Sequence, residues 1–354
     1  MKLFVSIRKK LQGFDLDVEF ETNGSGTGIL GALGSGKSMT LRCVAGIEKP
    51  DSGRIVLGGR VLFDSEKGIN LPARHRGIGM VFQHYALFPH MTAADNIAFG
   101  LDSCTKTERK RRVDELLSLV RLESMGGRYP AELSGGQQQR VAVARALSTN
   151  PDAVLFDEPF SALDDHLRGL MIREFTEILS SYHGAMLVVT HNVDEAFRLC
   201  GNLVVLDRGS VRGSGVTRDV FDRPPTFEAA RITGCKNISK IRRVSPRSVY
   251  SDDWKCEFVT EMPVPDDAAF AGIRANYLKL DEDGSAPCNV IRCRVAGISE
   301  GPFRVQVFLV PEGTPSHDER SVMQWDIPKD RWIRVRDLPQ PFRMYADPEK
   351  VFVM

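Results

Sequence analysis

No run of the 354 residues approaches the ~18 consecutive apolar positions of a membrane-spanning helix. Net charge is almost absent as well: 47 Lys and Arg stand against 46 Asp and Glu, a formal +1. No bulk field therefore points to nucleic acid or to an anionic membrane surface, and no nucleic-acid partner is expected. The start, MKLFVSIRKK, is basic but lacks the apolar core of a signal peptide, so the expectation is a chain that stays in the cytoplasm. The seven cysteines, at 43, 104, 200, 235, 256, 288 and 293, are odd in number and contain no CxxC pair. That pattern argues against a disulfide frame or a zinc site and for buried or free thiols. Repeats and low-complexity tracts are missing too. What remains is an ordinary globular composition, 42% hydrophobic and 26% charged. At roughly 100 to 200 residues per domain, it is enough chain for two.

The character of the chain changes near residue 233. Upstream, short apolar runs (GTGILGALG, GIGMVFQ, AVLFDEP, AMLVVTH, NLVVLDRG) alternate with amphipathic stretches such as TERKRRVDELLSLVRL and DDHLRGLMIREFTEILSSY. Strands buried on both faces, interleaved with helices, predict an α/β domain with a largely parallel sheet over residues 1–232. Downstream, over 233–354, period-2 runs (FRVQVFLV, RWIRVRD, KVFVM) separated by Pro, Gly and Asp predict a small all-β barrel or sandwich. The paired prolines of DRPPTFEAARITG, 222–234, mark the expected join.

GALGSGKS fits G-x-x-x-x-G-K-[ST] at every fixed position and follows the strand candidate TGIL. The cradle comprises Gly31, Ala32, Leu33, Gly34, Ser35, Gly36, Lys37 and Ser38, with Met39 next in the helix. Glycines let backbone N–H groups close around a phosphate while the helix presents its positive end. Lys37 would reach the β- and γ-phosphates of ATP, and the Ser38 hydroxyl would ligate Mg²⁺. AVLFDEP supplies two carboxylates at a strand end. Because successive strand residues face opposite sides, Asp157 and Glu158 are given different tasks: Asp157 holds Mg²⁺ directly or through one of its ligands, and Glu158 polarises the attacking water. Gln83, just past GMVF, could hold Mg²⁺ or that water through its amide, and His191, ending LVVT, could touch the γ-phosphate with a neutral imidazole.

These elements, in this order and spacing together with LSGGQ and SALD (161–164), resemble the nucleotide-binding subunit of an ABC transporter over the first ~232 residues. The resemblance implies a P-loop NTPase cassette with a helical subdomain. It makes Gln83 the Q-loop glutamine, Asp157 and Glu158 the Walker B pair, Asp164 the D-loop aspartate and His191 the switch histidine. It also implies that Ser134, Gly135, Gly136 and Gln137 cap the ATP held by a second copy of the chain, so that each site is built from two chains. An aromatic ring that stacks on adenine is usual about two dozen residues before the P-loop. RKKLQ (8–12) holds none, and the nearest, Phe4 and Phe14, are read as core residues.

Within the family, 53–101 is similar to molybdate and sulfate importer ATPases, and the C-terminal part is similar to a TOBE/Mop-like, OB-like barrel. The implied partners are integral-membrane permease subunits and, indirectly, an extracytoplasmic solute-binding protein. The implied place is the cytoplasmic face of the membrane, peripherally bound. The apolar loop and helix HYALFPHMTAADNIAFG suit a groove for a permease helix. An oxyanion at the barrel would use SAPCN, 285–289, where Cys288 stands in place of the arginine usual in such motifs. Polyamine, sugar or ferric-iron import is the alternative within the family. A soluble non-transport ABC ATPase and a non-enzymatic oxyanion sensor are the alternatives outside import. The first lacks its coiled-coil insertion or tandem cassette here, and the intact Lys37, Asp157, Glu158 and His191 set argues against the second.

Overall fold

A computed structural model describes residues 1–23, 26–102, 104–161, 165–180, 182–314 and 319–354. The chain divides into two compact units, Met1–Arg218 and Asp219–Met354.

The first unit opens with β1 (Lys2–Lys10), β2 (Asp15–Asn23) and β3 (Thr27–Leu30), then α1 (Lys37–Ala45). Next come β4 (Ser52–Leu57), β5 (Arg60–Asp64), β6 (Ile69–Asn70) and β7 (Ile78–Val81). Three helices follow, α2 (Ala93–Ala98), α3 (Lys106–Leu119) and α4 (Gly135–Leu147). The remainder is β8 (Ala153–Asp157), α5 (Asp165–Leu179), β9 (Ala185–Thr190), α6 (Val193–Leu199), β10 (Asn202–Asp207) and β11 (Ser210–Val216). Among the described residues these strands form one sheet in the order β6-β5-β4-β1-β2-β11-β10-β3-β9-β8-β7. The run β10-β3-β9-β8-β7 is parallel throughout. The expected parallel strands are thus all present, joined to an antiparallel half made by β1, β2 and β4 to β6.

Period 2 places the core. Along β8, Ala153 and Leu155 pack into one apolar cluster with Leu187, Val189 and α1. Val154 and Phe156 point the other way, into a cluster with the α2, α3 and α4 side chains. A strand apolar on both faces is what a sheet covered on both sides requires. Four parallel strands, β3, β7, β8 and β9, therefore end at one edge, the edge where open α/β sheets bind ligands.

In the chain, the division falls within α7 (Thr217–Asp222). The second unit contains α8 (Phe227–Ile232), β12 (Asn237–Ser245), β13 (Ser248–Ser251), β14 (Cys256–Val259), β15 (Phe270–Ile273) and β16 (Lys279–Leu280). It continues with β17 (Val290–Glu300), β18 (Arg304–Pro311), β19 (Met323–Pro328), α9 (Lys329–Val335), β20 (Phe342–Tyr345) and β21 (Val351–Val353). These strands form two antiparallel sheets, β14-β13-β12-β15-β21 and β16-β20-β17-β18-β19, around one apolar core. Residues 222–234, read from sequence as the join, pack with this unit: the Arg274 guanidinium donates to the carbonyls of Phe221 and Thr233. RWIRVRD, read as a strand, is mostly the helix α9. Its buried residues are Trp332 and Val335, three apart, while Ile333 is exposed, so the burial period is helical.

Candidate active site

The turn from β3 into α1 carries the phosphate cradle. Gly36 caps α1 with φ of 103°, and a Cβ there would lie 2.7 Å from Leu16 Cδ1, so backbone geometry and space both call for glycine. The first turn of α1 carries no acidic residue, which leaves its positive end for an anion. Gly31 and Ser35 are buried, Ala32 and Gly34 exposed, and Leu33 stands 80% exposed at the lip. The Ser35 hydroxyl is buried without a hydrogen-bond partner, as a group kept for a ligand would be. Met39 turns its side chain into the core, so only its backbone can serve the cradle.

Lys37 is buried, and its Nζ donates to the carbonyls of Gly31 and Ala32, at 2.9 Å each. Burial pushes its pKa down, opposed by Glu158 and Asp157. Ser38 Oγ donates to Asp157 Oδ1 at 2.7 Å, joining α1 to the end of β8. Burial pushes the Asp157 carboxyl up, and the Ser38 hydrogen bond works against that.

Glu158 does not continue the strand. Its φ of 47° lies in the left-handed region, and its N–H donates to Val189 O at 2.9 Å. Such a conformation costs a non-glycine residue on the order of 1–2 kcal/mol, which marks the site as over-determined by its surroundings. The turn, more than strand alternation, separates the two carboxylates: Asp157 meets Ser38, while Glu158 lies 3.9 Å from Lys37 Nζ and 3.0 Å from His191 Nδ1. His191 follows β9 immediately and is half exposed. The structure therefore brings Lys37, Ser38, Asp157, Glu158 and His191 together at one sheet edge. Gln83 sits exposed in the turn after β7, at that same edge. Asp164 lies outside the described residues.

Sequence reasoning missed two features beside the cradle and His191. Phe14, read as core, is half-buried against the cradle, its ring 3.5 Å from where a Cβ on Gly36 would stand. Phe4, the other aromatic read as core, is half-buried on β1 and lines a groove with Ser6 and Arg8, none of them a residue of the cradle. Thr190 and Glu195, flanking His191, form a buried pair with Thr190 Oγ1 donating to Glu195 Oε2 at 2.5 Å. The spacing N-x-x-E at Asn192 to Glu195 is a helix-start signal that could have drawn attention to Glu195.

Ser134 caps α4: its Oγ accepts from Gln137 N, and Gln137 Oε1 accepts from Ser134 N at 2.9 Å. Ser134 and Gly135 are exposed, and a Cβ on Gly135 would meet nothing within 4 Å. In the second unit, Asn289 of SAPCN is committed elsewhere, bridging Val259 and the Ala346 carbonyl, and Ser285 Oγ donates to the Asp283 carboxylate at 2.7 Å. Both polar groups of the expected oxyanion motif thus have partners within the fold.

The ABC transporter family profile matches residues 13–161. A sulfate/thiosulfate import ATP-binding protein of Agrobacterium fabrum is 43% identical over 249 residues, 69% of this chain and 70% of that protein. A protein of the same description from Synechococcus elongatus is 46% identical over 63% of this chain and 64% of its own length. An Fe(3+) ions import ATP-binding protein of Brucella abortus is 45% identical over 59% of this chain and 58% of its own length. The alignments to the last two thus span less than two thirds of those relatives. Among solved structures, the dimeric post-hydrolysis state of the ATP-binding cassette MJ0796 with ADP and Pi is similar, with a TM-score of 0.52 and 29% identity, over 62% of this chain and 99% of that one.

Proposed function

The chain belongs to the ABC transporter family of ATP-binding proteins, and from that premise we propose that it hydrolyses ATP, as a pair of identical subunits, to power import of a small oxyanion such as sulfate, molybdate or tungstate. One observation carries the paired arrangement. The cradle side of the site has its lysine, hydroxyl, carboxylates and histidine in place, yet α4 presents a second, exposed N-terminus whose Gly135 answers no steric need of its own chain. A helix start of this kind seeks an anion, and the γ-phosphate bound to a second copy supplies one. The dimer of MJ0796 is consistent with such a pair.

In this reading Lys37 turns from the loop carbonyls to the phosphates. The donor set of Ser38 and Asp157, already 2.7 Å apart, fits a hard oxygen-seeking ion, and Gln83, in the turn after β7 at the same sheet edge, could add its amide oxygen. Mg²⁺ held there would neutralise charge on the β- and γ-phosphates. Glu158 accepts a proton from the attacking water, and His191, whose Nδ1 lies 3.0 Å from Glu158, is placed to donate toward the γ-phosphate. Phe14 offers its ring to the base. His84 and Leu87 lead into Phe88 and Phe99, whose rings meet at 4.4 Å with Phe99 half exposed, a surface suited to a permease helix. No helix among the described residues is long and apolar enough to cross a membrane. The similarity to import ATP-binding proteins supports a peripheral subunit on the cytoplasmic face.

The relatives' names divide between sulfate or thiosulfate and Fe(3+). The oxyanion reading rests on the first two and on the sequence of 53–101. Phosphate release by the chain, reconstituted with its permease and solute-binding protein in vesicles, should rise with sulfate or molybdate. Stimulation by ferric ion alone would replace the oxyanion reading by iron import, and no phosphate release under any condition would remove the ATPase reading itself.

A further inference from the structure

We propose that Glu195 is a positioning residue for hydrolysis, fixing the turn that carries His191 and tying it to the start of α5. The inference rests on the reading that Glu158 and His191 act on ATP. Glu195 is 3% exposed and Thr190 1%. Glu195 Oε2 accepts the Thr190 hydroxyl at 2.5 Å, and Oε1 lies 3.3 Å from Arg168 Nε. The same Thr190 oxygen accepts the Asn192 N–H at 3.0 Å, so one hydroxyl holds the backbone on both sides of His191. The imidazole itself is half exposed, and its Nδ1 lies 3.0 Å from Glu158, so the backbone turn and that contact set its place.

Arg168 extends the linkage to a second element. It stands in the first turns of α5, the helix that follows 162–164. A buried carboxylate shared between a hydroxyl and a guanidinium is costly unless both partners are present, so the three groups hold one arrangement together. Burial also pushes the Glu195 carboxyl up, with the Thr190 hydrogen bond and Arg168 opposing it. A capping role alone does not explain the burial, because the α6 cap is made by Asn192 Oδ1, which accepts from Asp194 and Glu195 N–H.

The test compares Glu195→Ala, Glu195→Gln and Thr190→Val in the full-length chain, with thermal unfolding recorded for each. If the proposal holds, kcat for ATP falls about tenfold or more in Glu195→Ala and Thr190→Val, while equilibrium ATP binding stays within about twofold. Glu195→Gln, which can still accept the Thr190 hydroxyl but no longer carries the charge facing Arg168, recovers only part of the loss. The double variant falls no further than the worse single one, the mark of two groups acting through one contact. Glu195→Ala that does not fold leaves the decision to Thr190→Val, which removes a single hydroxyl. Unchanged kcat in folded Thr190→Val, or loss of ATP binding in parallel with kcat, overturns the proposal. Glu158→Gln serves as the reference: if that variant hydrolyses ATP normally, the fault lies in the reading of the site and not in Glu195 alone.

Discussion

Glu158 stands where backbone, charge and hydrogen bonding converge: a left-handed φ, an N–H held by β9, and a carboxylate between a buried lysine and an imidazole. Replacing it with Gln keeps the shape and removes the proton acceptor. Glu158→Gln should therefore bind ATP normally and hydrolyse it about 10² or more times slower, read by single-turnover phosphate release; near-normal turnover would remove Glu158 from the chemistry. The thiols offer a second test, of packing. Burial pushes Cys43 and Cys235 up to about 11 and Cys200, Cys256 and Cys293 up to about 12, while Cys104 is exposed. Because the thiolate is the reactive form, at pH 8 a thiol at about 11 is ionised only to roughly one part in a thousand. Cys104 should take up a maleimide first, and those five should wait for denaturant; mass spectrometry of the labelled peptides decides, and early labelling of Cys43 or Cys200 would contradict the packing described.

At the scale of elements, the two glycine-bearing helix starts make opposite demands. At α1, Gly36 combines φ of 103° with a neighbour 2.7 Å from any Cβ, so Gly36→Ala should cost on the order of 1–3 kcal/mol and weaken ATP binding. At α4, Gly135 has open space, and alanine is the better helix former by up to about 1 kcal/mol. Gly135→Ala should keep or raise the melting temperature and leave ATP binding by the single chain intact, while ATP-driven association weakens. Calorimetry and light scattering on the same samples separate the two, and a destabilised Gly135→Ala would show that the glycine serves its own fold. The contrast also shows what the sequence could and could not convey. Strands such as AVLFD are apolar on both faces and announce themselves. The antiparallel strand β2 is equally legible, with Leu16, Val18 and Phe20 buried between acidic residues. RWIRVRD misled because three apolar residues in four fit either period, and only the tertiary burial of Trp332 and Val335 chose the helix. Of the site, the motif residues were readable from spacing. The positions of Phe14 and Glu195 were not, since each depends on a neighbour far along the chain or on a side chain that turns away from its local cap.

For the whole molecule, the decisive question is whether one chain can complete its own site. Lys37→Ala removes the phosphate-facing charge of the cradle. Gly136→Asp acts at the other surface, and the chain itself should tolerate it: a Cβ there would sit 3.4 Å from Met171 Sδ, an ordinary contact, and a carboxylate at a helix start is favourable within the chain. The same carboxylate would face the γ-phosphate of a partner's ATP. Each variant alone should then form twofold pairs in which both sites are damaged. A mixed pair differs, because one site combines the two lesions while the other joins an intact cradle to an intact α4 start. Prepared in a Glu158→Gln background so that ATP stays bound, the mixture should trap about one nucleotide per dimer while each parent traps almost none, as the twofold arrangement requires. Differently tagged chains establish that mixed pairs have formed, and bound nucleotide is then counted in the doubly purified fraction. If confirmed mixed pairs trap no more than their parents, α4 of one chain does not complete the cradle of the other, and the exposed Gly135 and Ser134 must serve something else.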